Sequence, residues 1–236
     1  MEYGMGYSEF YGRFGASYRT KNLKRTVRSL DELGEFLIGR LNLKKNTRAF
    51  SLPTKRVLPR KFIRQDPWEG EYLFYLASKA REGIIETGRF QGGSAFLMAC
   101  ANCKVPIYSI DLEPRDDEFL KKQFAKFCTG GNVNLIVGDS QKTKYPQIKK
   151  FDLLFIDGDH SYQGCTNDLE NWFPELSPGG HVILHDCYFG CPVKESVIDF
   201  IQKHRNKIEV VISPYKNSLH WFYPEGSMVH FIKRVD

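Results

Sequence analysis

From residue 83 onward the chain alternates short apolar runs with longer stretches in which apolar residues recur at three- and four-residue spacing. The strand-like runs fall at 83–87, 107–111, 134–138, 152–157 and 181–185. Helix-like stretches lie between and after them, at 93–103, 116–128, 141–149, 161–173 and 192–205, and a further one at 70–79 leads into the series. Strands separated by helix-length segments predict a parallel sheet covered by helices on both faces. The tail breaks this rhythm. Its two strand-like runs, 208–212 and 228–233, have no full helix between them. They predict an antiparallel hairpin that closes one edge of a seven-stranded, doubly wound, mostly parallel sheet.

Residues 1–66 do not share the alternation. The first twenty are rich in Gly, Tyr and Phe and read as irregular. Ser29 with Glu32 three positions later forms a capping-box signature, and Phe36, Leu37 and Leu41 continue it at helical spacing. Residues 42–66 hold two prolines and many basic residues, as a linker or lid would. The expected division is an N-terminal extension, partly helical and partly irregular, over 1–66 and a sheet domain over 67–236.

Charge sharpens that division. The net charge of +6 splits into 15 Lys/Arg against 5 Asp/Glu over residues 1–65, and 19 against 23 over the remainder. A basic arm on a mildly acidic body suits nucleic acid, an acidic partner, a phosphorylated substrate or a second copy of the chain, or it is a solvated extension. No zinc-finger spacing, RNP-like aromatic motif or Gly-Arg repeat supports the nucleic-acid case. An apolar content of 42% suffices for a proper core. No run approaches the roughly eighteen apolar residues of a membrane span. The opening MEYGMGYSEFYGRF lacks the apolar stretch of a secretory leader. Six cysteines are too sparse for a disulfide framework in this length, so mostly buried thiols in a reducing cytoplasm are expected.

The chemistry concentrates at the carboxyl ends of the expected strands, where open parallel sheets bind their ligands. Following each in turn gives Glu86 with the loop ETGRFQGGS, then Asp111, Gly138-Asp139-Ser140, Asp157-Gly158-Asp159-His160, and His185-Asp186. One such carboxylate is an ordinary helix cap. Five along one edge repel one another unless a ligand or cation offsets them, so this edge is the expected active site. The glycine loop is neither GxGxxG nor a P-loop, which speaks against a dinucleotide or ATP.

The stretch IIETGRFQGGSAFLMA resembles the first motif of class I S-adenosylmethionine-dependent methyltransferases, in the form of catechol O-methyltransferase and its relatives. YSIDLEP is similar to the second motif and VGDSQ to the adenine-binding turn. The stretch 151–186, FDLLFIDGDHSYQGCTNDLENWFPELSPGGHVILHD, resembles bacterial small-molecule methyltransferases, including those acting on macrolide sugars. The resemblance spans about residues 70–200 and implies a Rossmann-like fold. It also implies S-adenosylmethionine as cofactor and a hydroxyl of a small polar molecule, such as a natural-product sugar, as acceptor. Glu86, Gly88, Phe90, Gly92 and Ser94 would form the methionine end of the cofactor site, with Glu86 holding the loop or the amino group. Asp111 would take the ribose, Asp139, Ser140 and Gln141 the adenine edge, and Asp157 would serve both cofactor and metal.

The same resemblance assigns a divalent cation, Mg²⁺ by its preference for hard oxygen ligands, to Asp157 and Asp186. His160, three residues after Asp157, would take the acceptor's proton. Two positions depart from the pattern. Cys187 stands where the catechol enzymes carry Asn, and His185 precedes Asp186 where some sugar methyltransferases carry an acid. His185 is therefore either a third ligand or a hydrogen-bonded strand-end histidine. Asp159 and Asp168 read as a cap and as a helix-surface or substrate-side carboxylate. Two alternatives remain at this point: RNA methylation, motivated by the basic arm although no Asn-Pro-Pro-Tyr-like motif follows the fourth strand, and a cofactor-binding protein without catalysis.

Overall fold

The apolar runs become strands because the central ones are covered by helices on both faces, and the few polar side chains buried there, such as Glu86 and Ser109, find partners within the fold. The computed structural model describes residues 64–65, 67–127, 132–142, 144–145, 147–188, 190–212 and 227–235. The expected helix near 29–41, nearly all of the lid and the proposed role of the arm lie outside the described residues.

In chain order the elements are α1 (Pro67–Lys79), β1 (Ile84–Thr87), α2 (Gly93–Ala101), β2 (Ile107–Asp111), α3 (Asp117–Phe127), β3 (Val133–Val137) and β4 (Leu153–Ile156). Then come α4 (Tyr162–Trp172), a 3₁₀ turn (Phe173–Glu175), β5 (His181–Leu184), α5 (Pro192–Lys203), β6 (Ile208–Ile212) and β7 (Val229–Lys233). The sheet order is β3-β2-β1-β4-β5-β7-β6. The first five strands run parallel. β7 is antiparallel to both β5 and β6.

Strand alternation divides the core into two layers. Ile84 and Phe155 join α1, α2 and α3 on one face, with Leu73, Phe96 and Leu120. Ile85 and Leu154 join α4 and α5 on the other, with Leu169, Trp172 and Val197. Burial of large side chains such as Trp172 and Phe96 contributes about 1.5–3 kcal/mol each. Among the described residues no helix is long and apolar enough to cross a membrane.

One expectation holds and one changes. The tail strands pair antiparallel and close the sheet edge, with β7 between β5 and β6 and β6 outermost. β7 is the strand with His230 and Phe231 fully buried, so it takes the covered position. The helix expected at 141–149 is absent, and none of the described residues there is helical. Pro146 removes a helical donor and clashes with the preceding turn, which outweighs the apolar spacing around it. The described residues there form turns and irregular backbone, with the Tyr145 ring stacked parallel to that of Trp172 at 6.4 Å. Of the six cysteines, Cys165, Cys187 and Cys191 are buried and Cys103 is exposed, and none of the five described is in a disulfide.

Candidate active site

The loop after β1 is held from below by a buried polar cluster. Glu86 is fully buried and accepts hydrogen bonds from the hydroxyls of Ser94 on α2 and Ser109 on β2. Burial pushes its carboxyl up to about 7 against the pull of those serines. Glu86 and Ser94 thus lie in the layer supporting the loop, each engaged with the other. Gly88 has φ +88°, and a Cβ there would collide with the backbone of Asp157 and Gly158. Gly92 has φ +77° and starts α2 without a side-chain cap. An uncapped helix start offers free N–H groups at the cleft.

Phe90 is also left-handed, at φ +47°, and its ring is partly exposed under the guanidinium of Arg115, 4.7 Å from the ring centre. Its amide donates to Asp111 Oδ2 at 2.7 Å, and the amide of Glu113 donates to Oδ1 at 3.0 Å. The turn after β3 begins at Gly138, whose amide donates to the Asp111 carbonyl at 2.8 Å. Asp139 there pairs with Lys142 at 2.9 Å, and that hydrogen bond holds its carboxyl below the usual range. Ser140 and Gln141 turn their side chains toward α4 and the loop that precedes it. The Ser140 hydroxyl donates to Asp168, and Gln141 bonds Asn167 and Asp159.

Past β4 and β5 the edge is charged. Ligand atoms of Asp157, His160 and Asp186 all lie within 4.8 Å of one another. His160 Nε2 is 3.2 Å from Asp186 Oδ2 and 3.7 Å from Asp157 Oδ1, with half of its side chain open to the cleft. Hydrogen bonding to Asp157 and the charge of Asp186 raise the His160 pKa above its ordinary value. Burial works to raise the Asp157 carboxyl, but the two histidines beside it outweigh that and hold it at about 2. Asp186 adopts φ +56°, a left-handed conformation that short acids tolerate and that often marks functional sites.

His185 sits behind this cluster. Its Nε2 lies 3.1 Å from Glu69 Oε2 on α1, and Glu69 in turn accepts from the Ser227 hydroxyl. Its Nδ1 is 3.2 Å from Asp186 and 3.4 Å from Asp157, yet this buried atom makes no hydrogen bond of acceptable geometry. Burial lowers the pKa of the ring, but its carboxylate neighbours prevail and raise it well above the ordinary value. Asp157, Asp186 and, once its ring is neutral, the Nδ1 of His185 are a donor set that fits a divalent cation, with the His160 imidazole open beside it. Cys187 is not part of it. Its thiol is buried toward the carbonyls of Leu184 and His185, and burial pushes its pKa well up.

The family model described as "Methyltransferase domain" matches residues 85–187, from the glycine loop through Cys187. An uncharacterized protein of Acanthamoeba polyphaga mimivirus is 32% identical over 154 residues, which is 61% of this chain and 68% of that protein. The chain belongs to the class I S-adenosylmethionine-dependent methyltransferases. Solved methyltransferases share its fold. The O-methyltransferase NovP is 17% identical with a TM-score of 0.60, over 83% of this chain and 99% of NovP. TomG from Streptomyces achromogenes, an O-methyltransferase of tomaymycin synthesis solved with S-adenosylmethionine, is 19% identical with a TM-score of 0.53. That match covers 82% of this chain and 88% of TomG.

Several residues that build this methyltransferase's site escape a reading of the sequence. Arg89, inside the glycine loop, is buried. It forms a bidentate pair with Asp117 at 2.9 and 3.0 Å and donates to the carbonyls of Ser109 and Ile136. Glu69 reaches His185 across 116 positions, and Gln65 donates to Asp157 Oδ2 at 3.1 Å across 92. Asp168, read as a surface or substrate-side carboxylate, is instead 1% exposed. The N-cap of α4 is Ser161, while Asp159 accepts from the Ser161 amide.

Proposed function

We propose that this methyltransferase moves the methyl group of S-adenosylmethionine to a hydroxyl of a small polar molecule, such as a natural-product sugar, with a divalent cation, Mg²⁺ first among them. The observation that carries the reading is the meeting of Asp157, His160 and Asp186 at the open end of the cleft. Solved proteins of like fold include O-methyltransferases, one of them in tomaymycin synthesis, which favours a hydroxyl acceptor. The uncapped start of α2 suits the cofactor's carboxylate, and the left-handed turn through Gly88, Phe90 and Gly92 brings its backbone close. Asp111, at the end of β2, is placed for the ribose hydroxyls, and Asp139 for the adenine edge. Glu86 and Ser94 support that loop from beneath, and Asp157 lies between the two ligands. A cytoplasmic location goes with the free thiols.

Asp157 and Asp186 would hold the cation, with His185 Nδ1 as the third donor. A cation held there would orient the acceptor oxygen and lower its pKa. His160 removes the hydroxyl proton at its Nε2. The freed oxygen pair then forms the new C–O bond in line as the S–CH₃ bond breaks, and S-adenosylhomocysteine leaves neutral at sulfur. Release of S-adenosylhomocysteine from a panel of polyhydroxylated small molecules tests the reading. Turnover should vanish with chelator, return with Mg²⁺ or Mn²⁺, and be absent in Asp157→Ala and Asp186→Ala that still bind S-adenosylhomocysteine. Full turnover in excess chelator removes the cation, and methylation of RNA in place of small molecules removes the acceptor class.

A further inference from the structure

The turn after β3 has no helix of its own behind it, and α4 takes that place. Asp168 of α4 accepts the Ser140 hydroxyl on Oδ1 at 2.7 Å and the Thr87 hydroxyl on Oδ2 at 3.0 Å. Thr87 ends β1 immediately before Gly88, whereas Ser140 follows β3, and β2 lies between those strands. One buried carboxylate therefore ties together the two loops that flank Asp111. Its helix grips the same turn twice more. Asn171 Nδ2 and Trp172 Nε1 donate to the Ser140 carbonyl at 2.6 and 3.0 Å.

Packing alone gives no reason for an acid here. Burying a carboxylate opposes folding unless donors meet it, and an apolar side chain fills the same space without that cost. Burial pushes the Asp168 carboxyl up to about 6, aided by the nearby charges of Asp139 and Asp159, so the two hydroxyls only partly offset it. What the acid supplies is a fixed spacing between two loops that share no backbone pairing.

We propose that Asp168 is a positioning residue for the cofactor, holding the loop at Gly88 and the turn at Asp139 at the separation one S-adenosylmethionine molecule spans. This rests on the cofactor reading given above. Ser140 then acts as the strap's other end and not as an adenine ligand.

Calorimetric titration with S-adenosylhomocysteine tests it on wild type, Asp168→Asn, Ser140→Ala and the double variant, with far-ultraviolet circular dichroism confirming folding. Each single variant should bind roughly tenfold to a hundredfold more weakly, the usual loss for a hydrogen bond to a charged group. The double variant should bind no more weakly than the weaker single, because both changes act on the same Asp168–Ser140 contact. Should Asp168→Asn fail to fold, Ser140→Ala decides alone. Affinities within about twofold of wild type, or fully additive losses, overturn the proposal. A wild type that does not bind S-adenosylhomocysteine overturns the cofactor reading and the proposal with it.

Discussion

The two halves of the strand-end edge are built on opposite principles. On the β1–β3 side every buried charge described above has its partner: Glu86 between two serines, Arg89 in a fork with Asp117, Asp168 between two hydroxyls. On the β4–β5 side, Asp157, Asp186, His160 and His185 crowd together with a buried ring nitrogen left orphaned and a left-handed acid backbone. The first half is a finished scaffold, complete before any ligand arrives. The second half holds its polar groups in a state that a cation and a reacting hydroxyl would satisfy. Loops that only bind can be made rigid, whereas groups that accept a proton must be left partly unsatisfied.

The largest effect expected from breaking this contrast is on rate. His160→Ala should lower turnover at saturating S-adenosylmethionine by roughly 10²–10⁴ while S-adenosylhomocysteine affinity and thermal stability stay near wild type. An equal loss of cofactor affinity would show that the two halves are not separable. The scaffold half should respond in stability instead. Arg89→Met strands Asp117 without its partner and should cost about 3–5 kcal/mol in urea unfolding, as breaking a buried pair does. A loss under 1 kcal/mol would mean that the loop does not depend on this fork.

The smallest effect is in pH, and its sign should differ between the halves. The Glu86 pKa is raised in the fold to about 7, so its contribution is present below about 4.5 and is lost as pH rises through 7. Relative to Glu86→Gln, wild type should therefore lose on the order of 2–3 kcal/mol between pH 4.5 and 7.5. The Asp157 pKa is depressed to about 2, so its contribution is present above about 4 and is lost as pH falls toward 2. Relative to Asp157→Asn, wild type should lose about 2 kcal/mol on acidification from pH 4.5 to 2. Denaturant titrations across both windows read this directly, and slopes of the same sign would erase the distinction.

Local periodicity was enough to read the seven strands and nearly all the helices between them, because strands covered on both faces are mostly apolar. The acids ending those strands were legible for a related reason: parallel strands deliver their ends to one edge whatever the details. At 141–149 the pattern misled, since Pro146 vetoes a helix that the apolar spacing suggests. Only the folded arrangement decided which side each polar side chain faces. Asp168 and Cys187 turn inward, while His160 turns outward, although His160 and Asp168 lie on one short segment after the same strand. Glu69, Gln65 and Arg89 meet His185, Asp157 and Asp117 across 116, 92 and 28 positions, through contacts that exist only once the sheet order is set. A sequence records the kind of group at each position. Whether a carboxylate holds a loop, awaits a cation or caps a helix depends on burial and on the partner facing it, and those are properties of the packed chain.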